Sequence, residues 1–291
     1  MRSPNVQLKN VAIGLYPEIS GGQEIAENLV SIFSDNGVNA SIYPSFRQED
    51  LLINLEEKKY DIMIALGGDG TMLRAGQLCA PFQIPIMGIN LGRFGFLMEV
   101  SKDKWRETIP LLLKGQYLLE DRMMLHCEHI RNEKKLSKWS ALNEVTISRG
   151  KFVRPIHLQA KVDQYVLASY VADGLIVSTA TGSTAYSLAV GGPIMPPELK
   201  NTLIIPVAPH LSMDSAIILE EGTRISVTAK SNHEAVFSVD GQTPVELLDD
   251  DIIQVYSSEN MVSFIRFQDP GYFYRNLALY MKKNPSLGGE L

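Results

Sequence analysis

Only two cysteines, Cys79 and Cys127, occur in the 291 residues, and no metal-ligand spacing surrounds them. That excludes a disulfide framework or a thiolate zinc cluster and fits a reducing compartment. No apolar run reaches the roughly 20 residues that span a bilayer. The N-terminal run Val11–Tyr16 is too short for the apolar region of a secretory signal. A soluble, cytoplasmic protein with no membrane partner is expected. Basic excess is also missing: 27 Lys and Arg stand against 33 Asp and Glu, a net charge of -6. Nucleic acid is therefore not expected as a partner. Neither G-x-x-x-x-G-K-[ST] nor G-x-G-x-x-G is present, so a dinucleotide, if bound, is held outside those two motifs. There is no internal repeat and no low-complexity segment.

What is present is a hydrophobic share of 45% over a length that suits two domains. The stretch Tyr60–Arg74, YDIMIALGGDGTMLR, organises the chain. The run from Ile62 to Leu66 reads as a strand buried on both faces. Gly67, Gly68 and Gly70 break it, and a helix opens with Thr71 or Asp69 as the cap. Strand, glycine turn and helix start form a phosphate cradle, because backbone can approach an anion and helix-terminal N–H groups point at it. Asp69 is the unexpected residue there. A carboxylate repels phosphate unless it carries a metal or accepts a proton, which marks it as the chemical centre.

Upstream, Val11–Tyr16 reads as a strand, Ile25, Ala26, Leu29, Val30 and Phe33 as a helix face ended at Gly37, and Ala40–Tyr43 as a second strand. Glu49–Lys59 reads as a polar helix with Leu51, Leu52 and Leu55 inward. Pro85–Ile89 is a further strand, leading into Asn90-Leu-Gly-Arg-Phe-Gly-Phe96, and Lys102–Lys114 an amphipathic helix. The alternation predicts a parallel, Rossmann-like α/β domain over 1–118. From 119 to 267 short strands at regular spacing predict an all-β, sandwich-like domain: Met124–Arg131, Lys138–Ile147, Ile156–Val162, Val166–Val171, Leu175–Ser178, Leu203–Pro206, Arg224–Ala229, Ala235–Val239, Asp251–Tyr256 and Met261–Phe267. Asn132-Glu133, Asp163-Gln164, Asn232-His233 and Asp240-Gly241 are the turn signals. Ser183–Ala189 reads as one short helix. The tail, 268–291, is expected to dock back on the first domain.

Three polar constellations sit in the second domain. Asn143-Glu144, near a strand end, offers an amide beside a carboxylate and suits a base or a sugar hydroxyl. Ala172–Ser187 carries Asp173-Gly174 and a Ser/Thr/Gly loop that presents N–H groups and hydroxyls. Val239–Gln242 reads first as a hairpin turn. The run His126-Cys127-Glu128-His129 looks metal-like, but strand alternation puts His126 and Glu128 on one face and Cys127 and His129 on the other, so no protein-held metal site is assigned.

These residues carry a resemblance. Gly67-Gly68-Asp69-Gly70-Thr71, Asn143-Glu144, Asp173-Gly174, Thr181-Gly-Ser-Thr-Ala-Tyr-Ser187 and Gly191-Gly-Pro193 resemble the NAD kinase family in order and spacing. The glycine turn is shared with diacylglycerol-type lipid kinases, whereas the Asn-Glu pair and the T-G-S-T-A-Y-S run are more specific. The resemblance implies transfer of the ATP γ-phosphoryl group to the 2′-hydroxyl of the adenosine ribose of NAD, giving NADP. It also implies a divalent metal, Mg²⁺, arriving with ATP, inorganic polyphosphate as an alternative donor, and a homodimer or homotetramer.

On the same basis Asp69 is the proton acceptor, with Gly67, Gly68, Gly70 and Thr71 forming the phosphate loop and Arg74 near phosphate. Asn143 and Glu144 hold the dinucleotide, and Asp173 lies near its nicotinamide end. Thr181, Thr184, Ala185, Tyr186, Ser187, Leu188 and Ala189 surround adenine and ribose, with Arg154 and Gln242 at variable positions. Val171 stands where several bacterial members carry Arg, and Ala189 where Ser is usual. Two other readings share these residues. A lipid kinase needs a membrane-docking surface that the sequence does not show, and a non-catalytic dinucleotide-binding module has no use for Asp69.

Overall fold

Strands that are apolar on both faces need cover on both, and the first half of the chain supplies it. In the computed structural model, which describes residues 2, 8–16, 18–92, 95–210, 213–230, 233–275 and 277, the chain divides into two units. The first is Met1–Asp121 together with the chain from Asn260 onward, and the second is Arg122–Glu259.

The first unit runs β1 (Asn10–Leu15), α1 (Gly22–Asp35), β2 (Asn39–Tyr43), α2 (Glu49–Glu56), β3 (Ile62–Gly67), α3 (Asp69–Cys79), β4 (Ile86–Asn90), β5 (Val100–Ser101) and α4 (Trp105–Leu113). The sheet is parallel in the order β2-β1-β3-β4. Alternate strand residues Val11, Ile13, Leu15, Ile62, Ile64 and Leu66 pack with Ala26, Leu29 and Phe33 of α1 and Trp105, Ile109 and Leu112 of α4. Cys79 of α3 meets Met63 from the opposite face. The chain leaves β1 towards β2 and then returns to the other side as β3. The β1/β3 boundary is therefore a topological switch point, where the carboxyl ends of the strands open a crevice. α2 is shorter than its sequence pattern, and Leu52 is 38% exposed while Leu51 and Leu55 are buried.

Two long strands, β6 (Leu118–Arg131) and, last in the chain, β17 (Ile252–Arg266), contribute residues to both units. Between them lie β7 (Lys134–Ala141), β8 (Glu144–Arg149), β9 (Ile156–Val162), β10 (Tyr165–Ala172), β11 (Gly174–Ser178), α5 (Tyr186–Ala189), β12 (Thr202–Val207), β13 (Ile217–Leu219), β14 (Ile225–Lys230), β15 (Ala235–Val239) and β16 (Val245–Leu247). The second unit is an antiparallel sandwich. One layer is ordered β13-β12-β11-β8-β15-β16; the other has β10-β9-β14 pairing into β17, and β17 and β7 flanking β6. Inward residues of both layers, among them Leu125, Val145, Ile147, Leu158, Leu175, Val177, Val227, Phe237 and Ile253, form one core.

Four expectations of local structure are corrected. Lys138–Ile147 is not one strand: it breaks at Leu142-Asn143 into β7 and β8, so Asn143-Glu144 begins a strand rather than ending one. Asp251–Tyr256 and Met261–Phe267 are not two strands: 257–260 between them is also extended, and one strand, β17, runs through from Ile252 to Arg266. Ser183–Ala189 is not one helix. A 3₁₀ turn over Thr181–Thr184 and α5 are separated by Ala185, whose backbone (φ −102°, ψ −128°) is not helical. Gly68, not Thr71 or Asp69, occupies the cap of α3. The turns at Asn132-Glu133, Asp163 and Asp240-Gly241 carry positive φ, as short Asn/Asp/Gly hairpin turns do. The turn at Asn232-His233 and the tail beyond 275 lie wholly or partly outside the described residues.

His126-Cys127-Glu128-His129 alternates as the strand requires. Cys127 lies in the core, His129 edges the Phe237 ring, and Glu128 accepts from Lys135 and Tyr256. Among the described residues no His, Cys, Asp and Glu cluster could hold a metal. His129 instead joins a buried ion cluster. The Asp251 carboxylate contacts His129 Nε2 (2.8 Å) and accepts from Arg131 Nε (2.7 Å) and Nη2 (2.8 Å) and from the Leu248 N–H (2.9 Å). Burial alone would raise this carboxyl, but Arg131, His129 and the amide outweigh it and hold it at about 2. With an unfolded value near 3.9, its stabilisation is full above about pH 5 and lost as pH falls towards 2. Asp251→Asn should cost about 3 kcal/mol at pH 7 in urea denaturation. The gap to wild type should close as the same titration is repeated from pH 5 down to pH 2.

Candidate active site

β3 ends at the glycine turn, and the first residue of α3 is Asp69. The Gly68 N–H faces Thr71 Oγ1 (3.4 Å), while the N–H groups of Thr71 and Met72 return to the Gly68 carbonyl. The loop after β4 is drawn to this turn by the Leu91 N–H, which donates to Gly67 O at 2.8 Å. It then delivers two more donors. Phe96 N–H meets Asp69 Oδ2 at 2.8 Å and Leu97 N–H meets Oδ1 at 3.1 Å. Gly95 makes this approach possible, since a Cβ there would stand 2.3 Å from Oδ1. Burial pushes the Asp69 carboxyl above the usual range, against the pull of the Phe96, Leu97 and Met98 amides and the Arg266 charge. Asp69 thus has a fixed orientation and a raised proton affinity, the two properties of a general base.

Beside this turn lies a cavity of about 710 Å³ lined by Tyr16, Glu18, Pro44, Ser45, Arg47, Gly68, Gly70, Thr71 and Arg74, so two cations stand against one carboxylate on its walls. Its walls come from the carboxyl ends of β1, β2 and β3, at the switch point. Phe46, 6% exposed and tilted on Tyr16 at 5.4 Å between ring centroids, anchors the loop that carries Arg47. Two guanidinium groups and the N-terminus of α3 give the cavity the chemistry of a polyanion site.

In the second unit Asn143 and Glu144 belong to a cluster built on Asp240. The Asp240 carboxylate accepts from three successive backbone N–H groups, Leu142 (2.8 Å), Asn143 (2.8 Å) and Glu144 (3.0 Å). That is why the strand breaks there. The Asn143 carbonyl accepts from Thr179 N–H (2.8 Å) and Ser178 Oγ (3.2 Å). Gly182 packs so closely on that carbonyl that a Cβ would stand 2.2 Å from it. Thr181 Oγ1 accepts from buried Arg122 (3.1 Å), and the Tyr186 amide serves the Glu144 carboxylate. Asn143 Oδ1 and Glu144 Oε2 remain buried without a hydrogen-bond partner, as polar atoms that a ligand completes do. Burial and the neighbouring Asp240 charge push Glu144 up to about 8.

The structure thus gathers Asn143, Glu144, Thr181 and Tyr186, with Thr184 and Ser187 bonded inside the same loop through Thr181 O and Gly182 O. Ala185 is its kink, Leu188 is half-buried, and Ala189 is exposed. Asp173 stands apart between β10 and β11, its Oδ1 3.0 Å from Arg149 Nε. Val171 is half-buried in β10, Arg154 is exposed in the loop 150–155, and Gln242 closes the turn after β15.

Sequence reasoning missed Arg47, Phe96, Leu97, Arg122 and Arg149. The two amides carry no sequence signal, since any residue but proline supplies an N–H. Asp240 was read as a turn residue; it is one, and its side chain also builds the cluster.

Residues 6–117 match the model of the ATP-NAD kinase N-terminal domain, and residues 142–267 that of the ATP-NAD kinase C-terminal domain. The chain belongs to the NAD kinase family. It is a kinase by that membership. A NAD kinase of Chloroflexus aurantiacus is 33% identical over 95% of this chain and 100% of its own. One of Moorella thermoacetica is 41% identical over 72% and 68%. The fold resembles yeast NADH kinase complexed with NADH, at a TM-score of 0.82 with 22% identity over 94% of this chain and 87% of that one. It also resembles an Archaeoglobus fulgidus NAD kinase in complex with ATP, at 0.74 with 25% identity over 92% and 97%. The α/β and β-sandwich architecture is that of these kinases.

Because Glu144 binds its proton more tightly folded than unfolded, wild-type stability falls as pH rises from about 4.3 towards 8. Glu144→Gln, neutral throughout, should therefore gain melting temperature relative to wild type as pH rises from 5 to 8. A difference that stays constant across thermal melts in that range would place the Glu144 proton elsewhere.

Proposed function

We propose that the chain transfers the γ-phosphoryl group of ATP to the 2′-hydroxyl of the adenosine ribose of NAD, giving NADP, with Asp69 as the proton acceptor. The observation that carries this reading is the Asp69 carboxylate itself. Phe96 and Leu97 each donate a backbone N–H to one of its oxygens and the Met98 amide adds to their pull, which leaves lone-pair capacity among a carboxylate's four acceptor sites for a substrate hydroxyl. As the 2′-oxygen bonds to the γ-phosphorus, the bond from that phosphorus to the β,γ-bridging oxygen breaks and ADP leaves. The hydroxyl proton passes to Asp69.

A carboxylate near a triphosphate needs positive charge nearby. The divalent cation, Mg²⁺ in this reading, enters with ATP as part of the substrate and neutralises its phosphates. Arg47 and Arg74 supply the protein's share, with Gly67, Gly68, Gly70 and Thr71 framing the donor cavity. Inorganic polyphosphate fits the same chemistry as an alternative donor. Asn143 and Glu144 hold the dinucleotide through their unpartnered oxygens, and the loop from Thr181 to Ala189 lies along it, with Asp173 towards the nicotinamide end. Arg154 and Gln242 complete the contacts. The family resemblance supports a cytoplasmic homodimer or homotetramer.

Asp69→Asn should keep fold and NAD binding while lowering kcat by about 10²–10⁴-fold, read as NADP formed from NAD, ATP and Mg²⁺. An undiminished rate would remove Asp69 from the base role. Arg47→Ala and Arg74→Ala should each raise KM for ATP by roughly tenfold with little change in KM for NAD, as loss of one charge-assisted phosphate contact predicts.

A further inference from the structure

Arg266 ends β17 and is 2% exposed, a buried cation that no step above uses. Its guanidinium lies 4.8 Å from the Phe264 ring centroid and 5.5 Å from that of Tyr272. Nη2 reaches Glu120 Oε1 at 3.4 Å, and Glu99 adds a second negative charge nearby. Nη1 donates to the Leu97 carbonyl at 2.9 Å. The N–H of that same Leu97 donates to Asp69 Oδ1. A cation, one residue's two backbone groups and a carboxylate therefore form a chain.

We propose that Arg266 is a positioning residue for the phosphoryl transfer, fixing Leu97 so that its N–H, with that of Phe96, holds the Asp69 carboxylate in its accepting orientation. The inference rests on the reading of Asp69 as proton acceptor.

Two physical consequences follow. Anchoring the Leu97 carbonyl fixes where the adjoining N–H groups point, and bonded groups polarise one another. The buried positive charge also acts on Asp69 directly, favouring its ionised form, while Glu120, Glu99 and Tyr272 surround that charge. Removing the cation should make Asp69 harder to ionise. Removing Glu120's charge leaves the cation less compensated and should make Asp69 easier to ionise.

The test is the pH dependence of kcat for wild type, Arg266→Lys, Arg266→Met and Glu120→Gln, with thermal melts and NAD binding on each. Arg266→Met should move the acid limb upward by about half to one pH unit, a roughly three- to tenfold loss of rate on that limb. Arg266→Lys, keeping the charge, should restore the limb towards wild type. Glu120→Gln should move it downward. A purely structural Arg266 lowers the melting temperature and the rate evenly across pH, and limbs that coincide in all variants overturn the proposal. If Arg266→Met does not fold, the Glu120→Gln limb decides: a downward shift supports the proposal, an unmoved limb overturns it. Asp69→Asn run alongside separates the two readings. Full activity there fails the proton-acceptor role, whereas an inactive Asp69→Asn with unmoved limbs fails Arg266 alone.

Discussion

Two backbone hydrogen bonds, from Phe96 and Leu97 to the oxygens of Asp69, are the constraint on which the rest of the first unit depends. A side chain at the first position of a helix is otherwise free to swing, and a carboxylate there tends to cap its own helix. Here Gly68 takes the cap and leaves Asp69 available to the loop after β4. That loop reaches it because β3 and β4 are parallel neighbours, with their carboxyl ends side by side, and because Gly95 has no side chain to obstruct the approach. The parallel sheet is thus the device that brings amides 27 and 28 residues further along the chain to one carboxylate.

The second unit solves its own placement problem with the same type of bond in reverse order. There the carboxylate of Asp240 is the fixed group, and three successive N–H groups close on it. The backbone bends away from its ladder at Leu142, and Asn143 and Glu144 each emerge with a side-chain oxygen that no protein group satisfies. A buried acceptor without a partner opposes folding, so its persistence in a well-packed sandwich fits a ligand that completes it.

Most of this architecture was legible in the sequence. Doubly apolar runs such as Ile62–Leu66 and alternating ones such as Ile156–Val162 gave strands of the right kind, and the hairpin turns signalled at Asn132, Asp163 and Asp240-Gly241 carry positive φ. The failures share a cause. The break between β7 and β8, the length of β17 and the kink at Ala185 are set by partners far along the chain, which no local window contains. The site divides along the same line. Asp69 and Asn143-Glu144 stood out as side chains out of place in their local pattern. The Phe96 and Leu97 amides did not, because a backbone donor looks alike at every residue. Arg266 did not either, since burial alone distinguishes it from any surface arginine.

The charge arrangement of the first unit carries one further implication. The N-terminus of α3 would draw phosphate by itself, yet its first residue is an acid whose ionised form repels the same anion. Burial eases the conflict by raising the proton affinity of Asp69, and the amides and Arg266 keep that rise in check. The cations at the cavity beside the turn are Arg47, on the loop after β2, and Arg74, further along α3. In the proposed reaction, affinity for the polyanion and strength of the base would therefore rest on different residues, and either could change in evolution without the other. A single cation serving both roles would tie them together: any gain in phosphate binding would weaken the base. Separating the buried Arg266 from the pair at the cavity removes that linkage.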